Sequence, residues 1–271
     1  MKRSAALLLA GVVAAALLAL TGCGGAEKDA AADDGSLQRV IDAGQLVLGL
    51  DASFPPMGFT DEAGEIVGFD IDVAQEVCDR LGVTLVKCPI DWDTKEDDLN
   101  SGVIDCIWNG MSVTPSRAEA MSLSEPYMKN ELIFVVSGDS DAKSLRDLKG
   151  RTVGVQSGST AQDVLAASNL GKDVSILALG DNLELLEQLK SRTVDAVLLD
   201  SVVAYYFIFT SDARYFVLPD SLGEEEYAIG FRKADQTLRD KVQELLGDMK
   251  ADGTLGNISQ KWFESDITII R

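Results

Sequence analysis

Short apolar runs separated by helical patterns recur along this chain, and that alternation restricts its fold more than any other feature. Leu46-Val47-Leu48-Gly49-Leu50 reads as a buried strand, and Ile71, Ala74, Val77, Cys78 and Leu81 then fall on one face of a helix. Residues 84–87 and 105–108 follow as strands. After Leu132-Ile133-Phe134-Val135-Val136 a second series begins. It has strands at 152–155, 174–177 and 194–199, a helix at 160–167, and another marked by Leu183, Leu186, Leu189 and Lys190. Residues 227–231 return as a strand before helices over about 235–251 and 255–263. Such alternation builds an α/β fold of parallel sheets covered by helices.

The start of the chain reads as a targeting segment. Lys2 and Arg3 precede a continuous apolar run over 5–20, which is short for a membrane span but suits a secretory signal over residues 1–22. Leu20-Thr21-Gly22-Cys23 resembles the bacterial lipobox, in which the cysteine becomes lipidated and the new N-terminus. The plainer alternative is an ordinary cleaved signal with an incidental cysteine. Several acyl chains on Cys23 anchor a protein stably, where a single chain does not. Residues 23–36 hold no large apolar side chain and read as a lipid-anchored flexible tether, which leaves 37–271 to fold.

Charge and composition exclude some functions. With 24 basic and 44 acidic residues the formal net charge is −20, so a nucleic-acid partner is not expected. The absence of histidine removes the commonest general base and transition-metal ligand. Apart from Cys23, the cysteines are Cys78, Cys88 and Cys106, whose spacing matches no metal motif. A Cys78–Cys88 disulfide and three buried free thiols both fit.

The stretch from Asp105 to Arg117, DCIWNGMSVTPSR, carries the chemistry. A buried strand ends at Asn109-Gly110, and Pro115 suits the first turn of a short helix. Free backbone N–H groups, the hydroxyls of Ser112 and Thr114 and the Arg117 guanidinium form a grip for a small carboxylate. A faint echo links Ser101-Gly-Val-Ile-Asp105-Cys-Ile to Ser191-Arg-Thr-Val-Asp195-Ala-Val. Each precedes a strand that ends in a polar residue, Asn109 or Asp200. The echo predicts two similar lobes, each with a site at its strand ends, facing one cleft.

These residues stand among motifs that together resemble the polar amino-acid-binding family of ABC-transporter solute-binding proteins. The motifs are Asp51-Ala-Ser-Phe54-Pro-Pro-Met, Gly68-Phe-Asp70-Ile-Asp72, Gly110-Met-Ser112-Val-Thr114-Pro-Ser-Arg117 and Ser124-Glu-Pro-Tyr127, followed by Val155-Gln-Ser-Gly158-Ser159-Thr160, Asp195-Ala-Val-Leu-Leu-Asp200 and Lys261-Trp262-Phe263. The resemblance implies the two-lobe, type II periplasmic-binding-protein fold. Lobe 1 would hold 37–130 and 225–271, lobe 2 would hold 131–224, and hinges would lie near 127–131 and 223–227. It implies that Arg117 pairs with a ligand α-carboxylate, joined by the Thr160 backbone N–H in the Gly158-Ser159-Thr160 turn and by Ser112. Asp200, the Gly110 carbonyl and the Ser112 hydroxyl would face an α-ammonium. Phe54 and Trp92 would wall the side chain, and Asp51, Asn109 and Gln156 would line its pocket.

The function so implied is an extracytoplasmic, membrane-anchored and monomeric binding protein. It would capture a free amino acid and pass it to ABC permease subunits, with no cofactor, metal or catalysis. An Asp51 carboxylate in the pocket favours arginine, lysine, histidine or glutamine over glutamate or aspartate, and leaves cystine open. The competing readings are a prephenate- or arogenate-type dehydratase on the same fold and an amino-acid-sensing domain. Plainer roles also exist for individual residues. Asp200 could cap the helix after it, Asp51 could serve a turn, Trp108 reads as core, Trp262-Phe263 as a docking helix, and Glu224-Glu225-Glu226 as a solvated run beside a hinge.

Overall fold

The structure, a computed structural model, describes residues 33–270. The expected signal and Cys23 lie outside the described residues. The chain first forms α1 (Ser36–Ala43), β1 (Gln45–Leu50), a small antiparallel sheet of β2 (Ser53–Phe54), β3 (Gly58–Thr60) and β4 (Ile66–Val67), then α2 (Phe69–Leu81) and β5 (Thr84–Pro89). Next come α3 (Lys95–Ser101), β6 (Cys106–Ile107), α4 (Pro115–Ala120) and β7 (Met121–Leu123). Strand β8 (Met128–Ser137) leads to a second series: β9 (Thr152–Gln156), α5 (Thr160–Ala167), β10 (Ser175–Leu179), α6 (Asn182–Lys190), β11 (Ala196–Asp200), α7 (Ser201–Thr210) and β12 (Tyr215–Tyr227). The chain then returns through β13 (Gly230–Arg232), α8 (Gln236–Ala251) and α9 (Thr254–Phe263).

Two five-stranded sheets result, ordered β5-β1-β6-β13-β7 and β10-β9-β11-β8-β12. In each, three strands run parallel and a fourth pairs antiparallel beside them. Helices cover the sheets, so the expected two-lobe α/β architecture is the one observed. The carboxyl ends of β6 and β11 point into the cleft between the lobes, as ligand sites in open α/β sheets require.

The sequence echo corresponds to a shared physical device. Asp105 precedes β6; its backbone N–H donates to Val47 O (2.7 Å), and its Oδ2 accepts from Val47 N (3.0 Å). Asp195 precedes β11 and repeats this on Thr152, at 2.8 Å for both bonds. Each aspartate clamps the start of the neighbouring parallel strand and sets its register. In lobe 1 the clamp is tied further: Arg232 donates to Asp105 (2.9 Å), to Asp235 (2.6 Å) and to the Leu99 and Ile104 carbonyls.

Several expectations need correction. The strand expected over 227–231 is two strands in different sheets. Tyr227 ends β12 in lobe 2, whereas Ala228 already donates to Met111 O in lobe 1 (2.9 Å). Strand β12 escaped pattern reading because Pro219, Gly223 and two register shifts break its alternation. The last residues assigned to the tether are folded. Asp34 accepts from the Gln236 and Thr237 backbone N–H groups (2.6 and 3.0 Å), and Ser36 is buried at the start of α1. Cys78, Cys88 and Cys106 are free thiols. A Cys78–Cys88 bond does not form because the two pack into different apolar clusters: Cys78 lies on the buried face of α2, while Cys88 packs with the cluster of Ile90 and Trp92. Trp262 docks on lobe 1 as expected, its indole N–H donating to Asp72 (2.7 Å).

If the clamps set register, Asp195→Ala should lower unfolding free energy by about 1 kcal/mol, the worth of an ordinary hydrogen bond. Asp105→Ala should cost about 3 kcal/mol, because it also strips a carboxylate from the largely buried Arg232. Urea denaturation of the two variants checks the ranking.

Candidate functional site

Lobe 1 supplies a buried cation. Thr114 caps α4 by accepting from Arg117 N (3.1 Å), and Pro115 occupies its first turn. This turns the Arg117 side chain inward, where it is 7% exposed. Its Nη1 donates to Ser112 O (2.9 Å), and its guanidinium carbon lies 5.5 Å from the Trp92 ring centre. Burial lowers the Arg117 pKa, while Glu225 and Asp200 oppose that shift. The group stays charged.

Beneath Arg117, the Asn109-Gly110 turn rests on Asp70, which the motif reading left without a role. Gly110 sits at φ +61, and a Cβ there would come 2.7 Å from Phe54 Cε1. Its N–H donates to Asp70 Oδ2 (2.8 Å), which also accepts from the Tyr127 hydroxyl (2.9 Å). Burial pushes the Asp70 carboxyl up to about 7, and hydrogen bonds from Tyr127 and Gly110 only partly counter it. Trp108 faces the same carboxyl and lowers it slightly, but its Nε1 and Asp70 Oδ1 fall outside hydrogen-bonding geometry. Trp108 is otherwise core, as expected.

Lobe 2 supplies the opposite charge. Asp200 ends β11 and accepts at Oδ1 from the Asn130 side-chain amide and the Tyr227 hydroxyl, both at 2.6 Å. Burial and the neighbouring Glu225 carboxylate push Asp200 up to about 7. Asp200 does not cap α7 with its side chain; Asn130 Oδ1 accepts from Ser201 N and Oγ instead, both at 3.1 Å. Ser159 caps α5 by accepting from Gln162 N (3.2 Å), which leaves Thr160 at the first helical position with its N–H free of the helix ladder.

One small cavity, with about 20 Å³ of open space, gathers Phe54, Trp92, Gly110, Ser112 and Arg117 from lobe 1 with Gln156, Ser159, Thr160 and Asp200 from lobe 2. That is room for about one water molecule, so in this closed state the side chains themselves fill the cleft. Asp51 and Asn109, also expected to line it, stand behind its wall. Asp51 Oδ2 accepts from Gln156 Nε2 (2.6 Å) and Trp92 Nε1 (3.2 Å), and Asn109 Nδ2 donates to Asp51 O (2.5 Å). Asn182 extends the chain by donating to Gln156 Oε1 (3.0 Å). Burial raises the Asp51 pKa, and the donors from Gln156, Ser53 and Trp92 oppose the shift. The Asp51–Gln156 bond crosses the cleft, as do Ser157 to Asp93 (2.9 Å) and Ser112 to Thr160 (3.3 Å), so the lobes are closed. Asn130, Asn182 and Tyr227 carried no local signal of their roles, because each reaches the site only through pairing distant in sequence.

Comparison with known proteins decides the family. A family model of bacterial extracellular solute-binding proteins, family 3, matches residues 46–265. The chain belongs to that family. This family-3 solute-binding protein is 30% identical over 262 residues to the L-cystine-binding protein TcyJ of Escherichia coli (strain K12), covering 96% of each chain. It is 32% identical over 263 residues to the arginine-binding extracellular protein ArtP of Bacillus subtilis (strain 168), covering 96% of this chain and 98% of ArtP. Among solved structures, a substrate-binding protein of an ABC uptake transporter from Streptococcus pneumoniae with bound histidine is 36% identical. It aligns with a TM-score of 0.84 over 87% of this chain and 98% of its own. Membership makes the protein an extracytoplasmic solute binder rather than an enzyme, and the dehydratase reading has no support. Among the described residues no helix is long and apolar enough to cross a membrane.

The buried acids predict how stability depends on pH. Asp70 and Asp200 keep their protons to higher pH when folded than when unfolded, so stability falls as pH rises from about 4 to 7. For fully buried Asp70 the loss is on the order of 4 kcal/mol, at about 1.4 kcal/mol per pKa unit. Below about pH 4 the slope reverses, because Asp252 and Asp266 are held down to about 2 by their hydrogen bonds. Chemical denaturation between pH 4 and 8 should show the decline, and Asp70→Asn, which keeps an acceptor for Gly110, should flatten it.

Proposed function

We propose that this protein captures a zwitterionic α-amino acid between its lobes and delivers it to the membrane subunits of an ABC importer. The observation that carries this reading is the placing of Arg117 and Asp200, one charge from each lobe, on the wall of a single small cavity. A zwitterion entering that cavity loses its hydration, so each of its charges needs a buried partner. The α-carboxylate goes to Arg117 and the Thr160 N–H, and the α-ammonium goes to Asp200. Such a ligand bridges the lobes and stabilises closure, because its contacts to one lobe are lost when the cleft opens.

The side chain of the ligand points toward Trp92, Phe54 and Gln156, with Asp51 behind them. That end is electronegative, which favours a basic or amide side chain over an acidic one. The three relatives are described with cystine, arginine and histidine, which supports a shared grip on the amino-acid backbone and a divergent pocket end. Lipidation of Cys23 would hold the protein as a monomer at the membrane; radiolabelled palmitate incorporated by the wild type and not by Cys23→Ala checks that anchor.

A thermal-shift screen against all protein amino acids and L-cystine, followed by calorimetry, tests the function. Arginine, lysine, histidine or glutamine should stabilise the protein, and glutamate or aspartate should not. Stabilisation by glutamate alone would refute the pocket-end reasoning, and no shift at all would refute the amino-acid reading. Loss of a charge-assisted hydrogen bond is worth roughly 1.5–3 kcal/mol, so Arg117→Ala should weaken binding about ten- to more than a hundredfold.

A further inference from the structure

Glu225 belongs to a run of three glutamates, but only Glu225 is turned into the molecule. It lies on β12 directly opposite Asn130 on β8, and the antiparallel register puts both side chains on one face. Asn130 Nδ2 donates to Asp200 Oδ1 (2.6 Å) and also to Glu225 Oε2 (3.1 Å). Tyr227, two residues further along the same face of β12, donates its hydroxyl to Asp200 Oδ1 (2.6 Å). Glu224 and Glu226 alternate to the other face and are exposed. Of the carboxylates acting on buried Arg117, Glu225 counts most, ahead of Asp200, Asp163 and Glu96. Two carboxylates therefore share one amide donor: Asp200 lines the cavity, Glu225 stands behind it, and both act electrostatically on Arg117.

We propose that Glu225 is a second carboxylate of the ammonium seat, and that a ligand ammonium settling between Glu225 and Asp200 drives a proton off Asp200 into solvent. This deepens the amino-acid reading above and rests on it. Two carboxylates this close do not both ionise freely in a partly buried place, so one keeps its proton. The incoming ammonium keeps its own three protons and places a cation beside the neutral Asp200 carboxyl. The Asp200 O–H bond then breaks, its electron pair stays on the carboxylate, and the proton leaves. The charged and titratable groups facing the pair are Tyr227 from β12 and Arg117 from α4, with neutral Asn130 from β8. The elevated Asp200 pKa, raised by burial and then by Glu225, agrees with this arrangement.

Calorimetry on the purified full chain, in two buffers of unlike ionisation heat, reads the proton directly. The probes are L-arginine, L-lysine, L-histidine, L-glutamine and L-cystine, with the imidazole's own proton subtracted for histidine. Release should approach one proton per ligand near pH 6 and vanish by about pH 8.5, with affinity rising up to about tenfold per pH unit below pH 7. Glu225→Gln retains an acceptor for Asn130. It should reduce the release, because burial alone still raises Asp200, make the pH profile shallower and weaken binding roughly tenfold at pH 8. A merely structural glutamate would change affinity or stability and leave proton release intact. Binding without release in the wild type, or undiminished release in Glu225→Gln, would overturn the inference while leaving the amino-acid reading standing. No heat from any of the five probes would overturn the proposed ligand class and the inference with it. Carbon-13 titration of the wild-type carboxyls needs no variant: of the two that titrate near 7, Asp200 moving to lower pH under saturating ligand while Asp70 stays supports the proposal, and neither moving overturns it.

Discussion

Strands β8 and β12 run side by side at the edge of the second sheet, where the chain enters and leaves it, and their pairing positions the groups that hold Asp200. Met128 pairs with Tyr227, Asn130 with Glu225, and Leu132 with Gly223. Because side chains alternate along each strand, the register that joins the lobes also aims Asn130, Glu225 and Tyr227 at Asp200. The connection between the lobes and the polar wall of the site are thus one ladder.

Around that ladder the protein buries more acid than it neutralises. Asp51, Asp70 and Asp200 are each held by hydrogen bonds from neutral donors, with no cation bonded to any of them. A buried ionised carboxylate is costly unless it is well satisfied, and all three are shifted toward holding their protons. The arrangement serves different ends. Asp70 shapes the Gly110 turn, Asp51 ties the lobes through Gln156, and Asp200 stands open to the cavity. Arg117 is the buried cation of the cavity, and the proposed ligand carboxylate would be its partner.

Much of the fold was legible from pattern alone. The alternation of strands and helices specified parallel sheets under helices, and the echo around Asp105 and Asp195 specified a repeated lobe. That echo survives as two chemically identical clamps on Val47 and Thr152, which is why a weak match was informative. Strand β12 was not legible. Its proline, glycine and register shifts erase the two-residue period, and only pairing with β8 holds it extended.

The site divides in the same way. Local chemistry marked the Arg117 turn and Asp200 at a strand end, because each depends on near neighbours, and the family resemblance marked Phe54 and the Ser159-Thr160 helix start. Asp51 and Asn109 were marked too, but distance decided their place: Trp92 and Gln156 reach Asp51 first and set it behind the wall. Glu225 looked like a solvated charge, since a run of glutamates carries no sign of which one faces inward. The sequence by itself determined the two lobes, the strand ends that face one cleft and the Arg117 grip, because those follow from hydrophobic period and local turn chemistry, while the opposite charge at Asp200 came from the family resemblance. Only the tertiary structure decided which carboxylates meet there, because strand register across about a hundred residues, and not local preference, brings Asn130, Asp200, Glu225 and Tyr227 together.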